Sequence, residues 1–154
     1  MGSRFLVTGV VVATLLAAAC GGSSTKSQSP NLAAPRATIE AASNSKLGQI
    51  LVDGTGMTVY LFAADTGSVS TCYGSCFQIW PPVVTMGAPQ AGTGATASLL
   101  GTSKRTDGNT QVTYAGHPLY YFVQDKKAGD ATGQGVNGFG APWWVLAPSG
   151  EAIH

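Results

Sequence analysis

The chain reads Gly56-Met57-Thr58-Val59-Tyr60-Leu61-Phe62-Ala63-Ala64-Asp65 and, sixty positions later, Gly116-His117-Pro118-Leu119-Tyr120-Tyr121-Phe122-Val123-Gln124-Asp125. The two phrases share Gly, Tyr, Phe and Asp at the same offsets, and a branched aliphatic residue precedes the shared Tyr in both. A repeat of this kind indicates the architecture, because each copy is expected to form the same unit. The sequence therefore predicts a duplicated unit. Its recurring residues are Tyr60, Phe62 and Asp65 in the first copy and Tyr120, Phe122 and Asp125 in the second.

Each copy carries the pattern of a β-hairpin. In the first copy, residues 50–52 lead into a turn at 53–56, and residues 57–63 return. In the second copy, residues 111–114 and 119–123 flank a shorter turn. Glycine at such turns adopts a positive φ without steric penalty. Because charged residues are few and no apolar pattern has the helical period, the fold class is predicted to be all-β.

Alternation along the strands predicts what the recurring residues do. Side chains two positions apart share a face, so Tyr60 and Phe62 point one way, as do Tyr120 and Phe122. We expect these aromatic rings to stack across strands and to fill the core. The Asp of each copy is expected to brace the following loop by accepting backbone N–H groups. A ligand groove between the copies, lined by the same six residues, is the alternative.

The first nineteen residues are predicted to be a signal peptide, outside the fold. Arg4 supplies a positive charge, residues 5–16 are apolar almost throughout, and Ala17-Ala18-Ala19 lead into Cys20. The apolar stretch is shorter than the span of about 20 residues that crosses a bilayer. We therefore expect cleavage after residue 19 and lipidation of Cys20. An ordinary signal peptide with an incidental Cys20 is the alternative.

Composition changes along the chain predict its domains. Residues 20–45 are rich in Gly, Ser, Ala and Pro, which predicts a lipidated Cys20 followed by a flexible tether. The remaining residues, 46–154, are long enough to fold alone as one small domain with two repeats. We assign the first repeat to about residues 46–85, a link to about 86–106 and the second repeat to about 107–154.

Charge and motifs exclude several functions. Lys and Arg number 8 and Asp and Glu number 7, so removal of Arg4 with the signal peptide leaves a formally neutral protein. A nucleic-acid partner is not expected, because binding phosphates needs a basic surface. The pairs Lys104-Arg105 and Lys126-Lys127 are interpreted as solvated loop charge. No nucleophile elbow, catalytic carboxylate pair, phosphate loop or zinc motif is found, so no enzyme is expected.

The segment from Cys72 to Cys76 is the one constellation with reactive chemistry. In an oxidising compartment, two Cys at this spacing predict a disulfide, and Gly74 lets the short loop close. The bridge is expected to hold the loop that leads to Trp80. The alternative is a redox or soft-metal site, because thiolates select Cu(I) and His117 could complete the ligand set. No other cofactor is expected.

Three features resemble a known family. They are Tyr-x4-Asp at Tyr60 and Tyr120, Cys72-x3-Cys76 followed by Trp80-Pro81-Pro82, and Gly129-Asp130-x-x-Gly133-x-Gly135 ahead of a Trp. Together they are similar to the "secreted repeat of unknown function" found in bacterial lipoproteins. The resemblance covers nearly all of the predicted domain and implies an envelope lipoprotein with tandem β repeats. It implies no reaction, and the second copy lacks the Cys pair.

These predictions combine into a functional hypothesis. The chain is expected to be extracytoplasmic, anchored to the bacterial cell membrane by a lipid on Cys20. Its domain is expected to be a non-catalytic binding or structural module for an unidentified envelope partner. The long loops and three aromatics expected at the surface, Tyr73, Phe139 and Trp143, would meet that partner. A redox or copper-handling lipoprotein that uses the Cys pair is the competing hypothesis.

Overall fold

The computed structural model describes Gly2 and residues 35–154. Apart from Gly2, the predicted signal peptide (residues 1–19), Cys20 and the first part of the predicted tether lie outside the described residues. Everything described from residue 35 onward belongs to one unit.

Most regular structure in residues 35–154 is β-strand, which confirms the all-β prediction. The elements in chain order are β1 (Thr38–Asn44), β2 (Gly48–Asp53), β3 (Tyr60–Phe62), α1 (Ser75–Ile79), β4 (Gln90–Ala91), a 3-10 turn (Ala97–Leu99), β5 (Leu100–Lys104), β6 (Thr110–Tyr114), β7 (His117–Pro118), β8 (Asn137–Gly138) and β9 (Ala141–Val145). They form three small sheets, ordered β2-β1-β4, β3-β9-β8 and β5-β6-β7.

The first repeat begins with a hairpin that the sequence analysis placed elsewhere. Strand β1 pairs along its length with β2, from Ile39 opposite Asp53 to Asn44 opposite Gly48. The tether prediction was therefore wrong for residues 38–44. The turn at 53–56 does form. Beyond it, a single β-bridge joins Val52 and Thr58, and β3 does not continue the pairing with β2. The Ala-rich β1 lacks the alternation of apolar and polar residues that predicts a strand, because Ile39 is its one fully buried residue.

The second hairpin forms at the predicted turn, but its return strand is β7 (His117–Pro118), so the prediction of a strand at residues 119–123 was wrong. Strands β6 and β7 pair through Thr113 with Pro118 and Tyr114 with His117. The turn places Ala115 at φ 49° and Gly116 at φ 83°, and glycine suits the second of these positive angles. Strand β5 pairs with β6 as β1 pairs with β2. The link prediction was therefore wrong for residues 100–104, which belong to the second repeat.

The two repeats exchange strands across the domain. Strand β3 of the first repeat pairs with β9 of the second, with Tyr60 opposite Val145 and Phe62 opposite Trp143. Reciprocally, Tyr120 of the second repeat bridges to Pro82 of the first. The segment that contains Trp143 and the segment that follows Trp80 thus each lie against the Tyr-Phe segment of the other copy. The repeats are interlocked within one domain.

The core consists of two clusters of buried residues, and the four recurring aromatic residues lie in the same one, as expected from their shared faces. One cluster of buried residues contains Tyr60, Phe62, Tyr120 and Phe122. The opposite faces of the same strands contribute to a second cluster, which includes Leu61 and packs against partly buried Tyr121. All six recurring residues are less than 9% exposed, so they lie inside the domain and do not line an open groove.

Candidate functional site

The centre of the domain is an antiparallel pair formed by Tyr60 and Tyr120. Each residue donates its backbone N–H to the carbonyl of the other, at 2.9 Å in both directions. Both side chains are fully buried. The two copies of the repeated phrase therefore meet at their Tyr residues, and the other recurring side chains are arranged around this pair.

The Tyr hydroxyls join the repeats reciprocally. Tyr60 Oη donates to Asp125 Oδ2 at 2.5 Å, and Tyr120 Oη donates to Asp65 Oδ2 at 2.5 Å. Each Tyr thus bonds the Asp of the other copy, although an Asp lies five positions away in its own copy. Hydrogen bonds between a hydroxyl and an ionised carboxylate are stronger than neutral ones. The repeated motif is therefore an interlock between repeats.

The second oxygen of each carboxylate holds the long loop that follows. Asp65 Oδ1 accepts hydrogen bonds from the N–H and hydroxyl of Thr71, at 2.7 and 2.6 Å. Asp125 Oδ1 accepts the same pair from Thr132, at 2.9 and 2.5 Å. Both oxygens of each carboxylate are thus occupied inside the domain. No buried side-chain oxygen or nitrogen in the described part of the chain lacks a hydrogen-bond partner.

Burial and the carboxylates keep the phenols protonated. Burial, followed by the hydrogen bond with Asp125, raises the pKa of Tyr60 far above its usual value. Burial and then the hydrogen bond with Asp65 raise the pKa of Tyr120 in the same way. Both hydroxyls therefore remain donors across the physiological range, which suits a permanent interlock.

Four aromatic rings form a continuous stack beside this pair. Phe62 stacks on Trp143 with ring centroids 4.1 Å apart. Trp143 stacks on Trp80 at 4.0 Å, and Trp80 stacks on Phe122 at 4.2 Å. All three contacts in the stack join the two repeats, because Phe62 and Trp80 come from the first copy and the other two rings come from the second. The aromatic core thus depends on both copies.

Trp143 was wrongly predicted to be exposed. It is 0% exposed, because the pairing of β9 with β3 places it opposite Phe62. The close packing also explains a glycine of the loop motif. A Cβ at Gly133 would lie 2.7 Å from the Trp80 ring and 3.0 Å from the Tyr60 ring. Gly133 is therefore required by close approach to the core.

The predicted disulfide between Cys72 and Cys76 is confirmed. The bond is present, and the two Cα atoms are 5.2 Å apart. Both residues are buried, at 1% and 5% exposure. Cys76 lies in α1, and its carbonyl accepts the N–H of Trp80 at 2.8 Å. The disulfide therefore fixes the short segment that positions Trp80 in the aromatic stack.

Arg105 is a structural residue that the sequence analysis missed. It was interpreted as solvated charge, yet its side chain is 0% exposed. The Tyr73 ring covers its guanidinium at 4.3 Å. Two of its partners, Ser70 and Cys72, lie 35 and 33 positions away along the chain, so the local sequence did not indicate that Arg105 is buried. The guanidinium donates to Ser70 Oγ (2.7 Å), Gln111 Oε1 (2.8 Å), the Cys72 carbonyl (2.9 Å) and Asp107 Oδ2 (2.8 Å).

The residues of the predicted copper alternative are not arranged as a ligand set. The Cys72 and Cys76 sulfurs are bonded to each other. His117 lies in β7, opposite Tyr114 in the second hairpin. Within residues 35–154, no three or more His, Cys, Asp or Glu side chains form a group that could hold a metal ion.

The fold and these contacts define an all-β protein made of two interlocked copies of a small repeat. A family model described as "Secreted repeat of unknown function" matches residues 41–84 and 101–147. The chain belongs to this family. The matches begin inside β1 and β5, which agrees with both corrected boundaries. No curated protein and no solved structure matches the chain. Among the described residues, no helix is both long and apolar enough to cross a membrane.

Proposed function

We propose that this chain is a lipid-anchored extracytoplasmic protein whose domain is a non-catalytic binding or structural module of the bacterial cell envelope. The observation that carries the proposal is the reciprocal bonding of Tyr60 with Asp125 and of Tyr120 with Asp65. The polar groups that recur in both copies serve the fold and are not directed at a substrate. Membership of a secreted family and a disulfide support an oxidising compartment.

The surface around α1 is suited to meet a protein partner. Phe77 and Ile79 project from α1 and are each 39% exposed. Tyr73, Phe77 and Asp107 line a shallow depression of about 430 Å³. Buried Arg105 supports the Tyr73 ring from below. Exposed apolar side chains that are grouped beside an aromatic ring are typical of interaction sites.

The anchor is tested by mass spectrometry of protein purified from membranes. We expect the mature N-terminus at Cys20 with a covalent lipid adduct. The variant Cys20→Ser should lack the adduct, because the acceptor sulfur has been removed. Wild-type protein that carries no adduct and is recovered in the soluble fraction would contradict the anchor.

The partner surface is tested by photocross-linking in intact cells. A photoreactive amino acid replaces Phe77. The matched control replaces Phe139, which is 49% exposed outside α1; the sequence hypothesis assigned Phe139 to the partner as well, so the two positions distinguish the α1 surface from that assignment. We expect a discrete cross-linked protein from position 77, reduced when Ile79→Ser is added, and none from position 139. A hydrolytic or transfer activity of the purified protein that one substitution abolishes would contradict the non-catalytic role.

A further inference from the structure

A second exposed surface lies where the described domain begins. Met86 is 73% exposed and Val84 is 51% exposed. Met86 borders two neighbouring open depressions of about 470 and 630 Å³. Arg36 lines the first depression and Lys104 lines the second. We define Arg36, Val84, Met86 and Lys104 as the entry patch.

The entry patch is fixed to the point at which the chain enters the domain. The N–H of Met86 donates to the Pro35 carbonyl at 3.4 Å, and the N–H of Ala37 donates to Thr85 Oγ1 at 3.2 Å. Thr85 is itself buried. These bonds hold residues 35–37 beside the two exposed apolar side chains. An anchor on the chain upstream of residue 35 is therefore connected to the domain next to the entry patch.

The chain length keeps the entry patch near the proposed anchor. Fifteen peptide links join Cys20 to Pro35. A chain of that length reaches at most about 50 Å even when fully extended. Confinement within that distance raises the effective concentration of the patch at the bilayer, so weak contacts suffice for docking.

The charges of the entry patch complement lipid phosphate. The ion pair that the structure shows in residues 35–154 joins Arg105 and Asp107, so Arg36 and Lys104 remain available to an outside anion. Asp53 is the acidic residue that lines the first depression, and its carboxylate accepts hydrogen bonds from Thr55 and Tyr121. No acidic residue lines the second depression.

We propose that the entry patch docks onto the bilayer in which Cys20 is anchored. Arg36 and Lys104 bind lipid phosphates, while Val84 and Met86 enter the boundary between headgroups and acyl chains. The unbranched thioether of Met86 adapts readily to such an irregular apolar environment. This inference rests on the lipid anchor of the proposed function, and it adds a fixed orientation of the domain on the membrane.

Fluorescence quenching in vesicles tests the docking. A bimane label is attached to Met86→Cys and, as the matched control, to Phe139→Cys, because Phe139 is exposed but lines neither depression. Each full-length lipidated protein is reconstituted into vesicles of phosphatidylethanolamine and phosphatidylglycerol. We expect iodide to quench the label at 86 several-fold less than the label at 139. Lipid-attached nitroxide should quench the label at 86 alone.

The same vesicle samples test the role of the two basic residues and the presence of the lipid on Cys20. Adding Arg36→Gln and Lys104→Gln should raise iodide quenching of the label at 86 to the level of the label at 139. Replacing phosphatidylglycerol by a zwitterionic lipid should have the same effect. A label at 86 that is as accessible as the label at 139, with the adduct present on Cys20, overturns the docking and leaves the anchor intact. Protection from iodide without quenching by nitroxide means that protein covers the patch, which also overturns the docking. Absence of the adduct overturns both proposals.

Discussion

The indole rings of Trp80 and Trp143 lie face to face, with centroids 4.0 Å apart and planes inclined by 2°. The two residues come from different repeats and occupy the middle of the four-ring stack. Neither repeat can bury its own Trp in this way without the other. We therefore expect the two repeats to unfold together in one cooperative transition.

The variant Trp143→Ala should lower the free energy of unfolding by about 3–5 kcal/mol, because it removes a buried ring and leaves a cavity beside Trp80. Urea unfolding followed by circular dichroism measures the change. The matched control is Trp144→Ala, whose side chain faces the other way and is partly exposed. Equal losses in the two variants, or separate transitions for the two repeats, would contradict the shared core.

The variant Tyr60→Phe should lower the free energy of unfolding by about 1–3 kcal/mol, because it leaves Asp125 Oδ2 buried without its donor. Adding Asp125→Asn should produce a total loss smaller than the sum of the single losses, since the two residues share one bond. The control pair is Tyr60→Phe with Asp65→Asn. Coupling that is stronger for Asp65 than for Asp125 would show that the interlock runs within one repeat.

The sequence was sufficient for the all-β class and the duplicated unit, but not for the pairing of each Tyr with the Asp of the other copy. Alternation assigned the faces of Tyr60 and Phe62, because side-chain direction follows from local backbone geometry. The bonding of Tyr60 to Asp125 depends on how the copies pack. Both copies carry the same residues, so pairing within a copy and pairing between copies have identical sequence patterns.

Two further features lacked a local signal for different reasons. Strand β1 is held mainly by its backbone pairing with β2, and only Ile39 among its residues is fully buried, so its side chains show little alternation. Arg105 bonds Ser70 and Cys72, which lie 35 and 33 positions away along the chain, and a charged residue beside Lys104 resembles ordinary loop charge. The Cys72–Cys76 bridge was predictable because both partners lie in one short segment.

Alkaline titration should separate the tyrosines. Burial raises the pKa of Tyr60, Tyr120 and Tyr121, so the folded state retains protons that the unfolded chain loses above pH about 10. The three protonated tyrosines therefore make their full contribution to the free energy of unfolding below that pH, and this contribution declines as the pH rises above it. Ultraviolet absorbance of phenolate should therefore show these three ionising only on unfolding. Their ionisation in a protein that keeps its native circular dichroism would contradict this.

Tyr73 is the matched control for that titration. Burial is the largest single influence and opposes its ionisation, but the hydrogen bond with Thr106 and the charge of Arg105 together lower its pKa below the usual value. The first step of the absorbance titration should therefore belong to Tyr73 and should disappear in Tyr73→Phe. Persistence of that step in the variant would assign it to another tyrosine.

Reduction of the disulfide should distinguish a structural bridge from a redox or copper site. We expect a reduction potential below about −300 mV, as in structural bridges of secreted proteins. Replacing both Cys72 and Cys76 by Ala should lower the free energy of unfolding by about 2–3 kcal/mol or less, because the closed loop is short. Reduced protein titrated with Cu(I) should bind it no more tightly than this double variant. Tight Cu(I) binding that is lost in His117→Ala would favour the copper hypothesis.

The variant Arg105→Lys should lower the free energy of unfolding by several kcal/mol, although it conserves the charge. The guanidinium bonds four groups at once in a fixed plane, whereas an ammonium has three donors on a flexible stem. Gln111 and the Cys72 carbonyl would then compete for too few donors in a buried site, which is destabilising. Urea unfolding of Lys104→Arg, the reverse change at the exposed neighbouring position, is the control and should match wild type. If Arg105→Lys is as stable as this control, the positive charge alone holds the Cys72 loop and the planar arrangement of donors is not required.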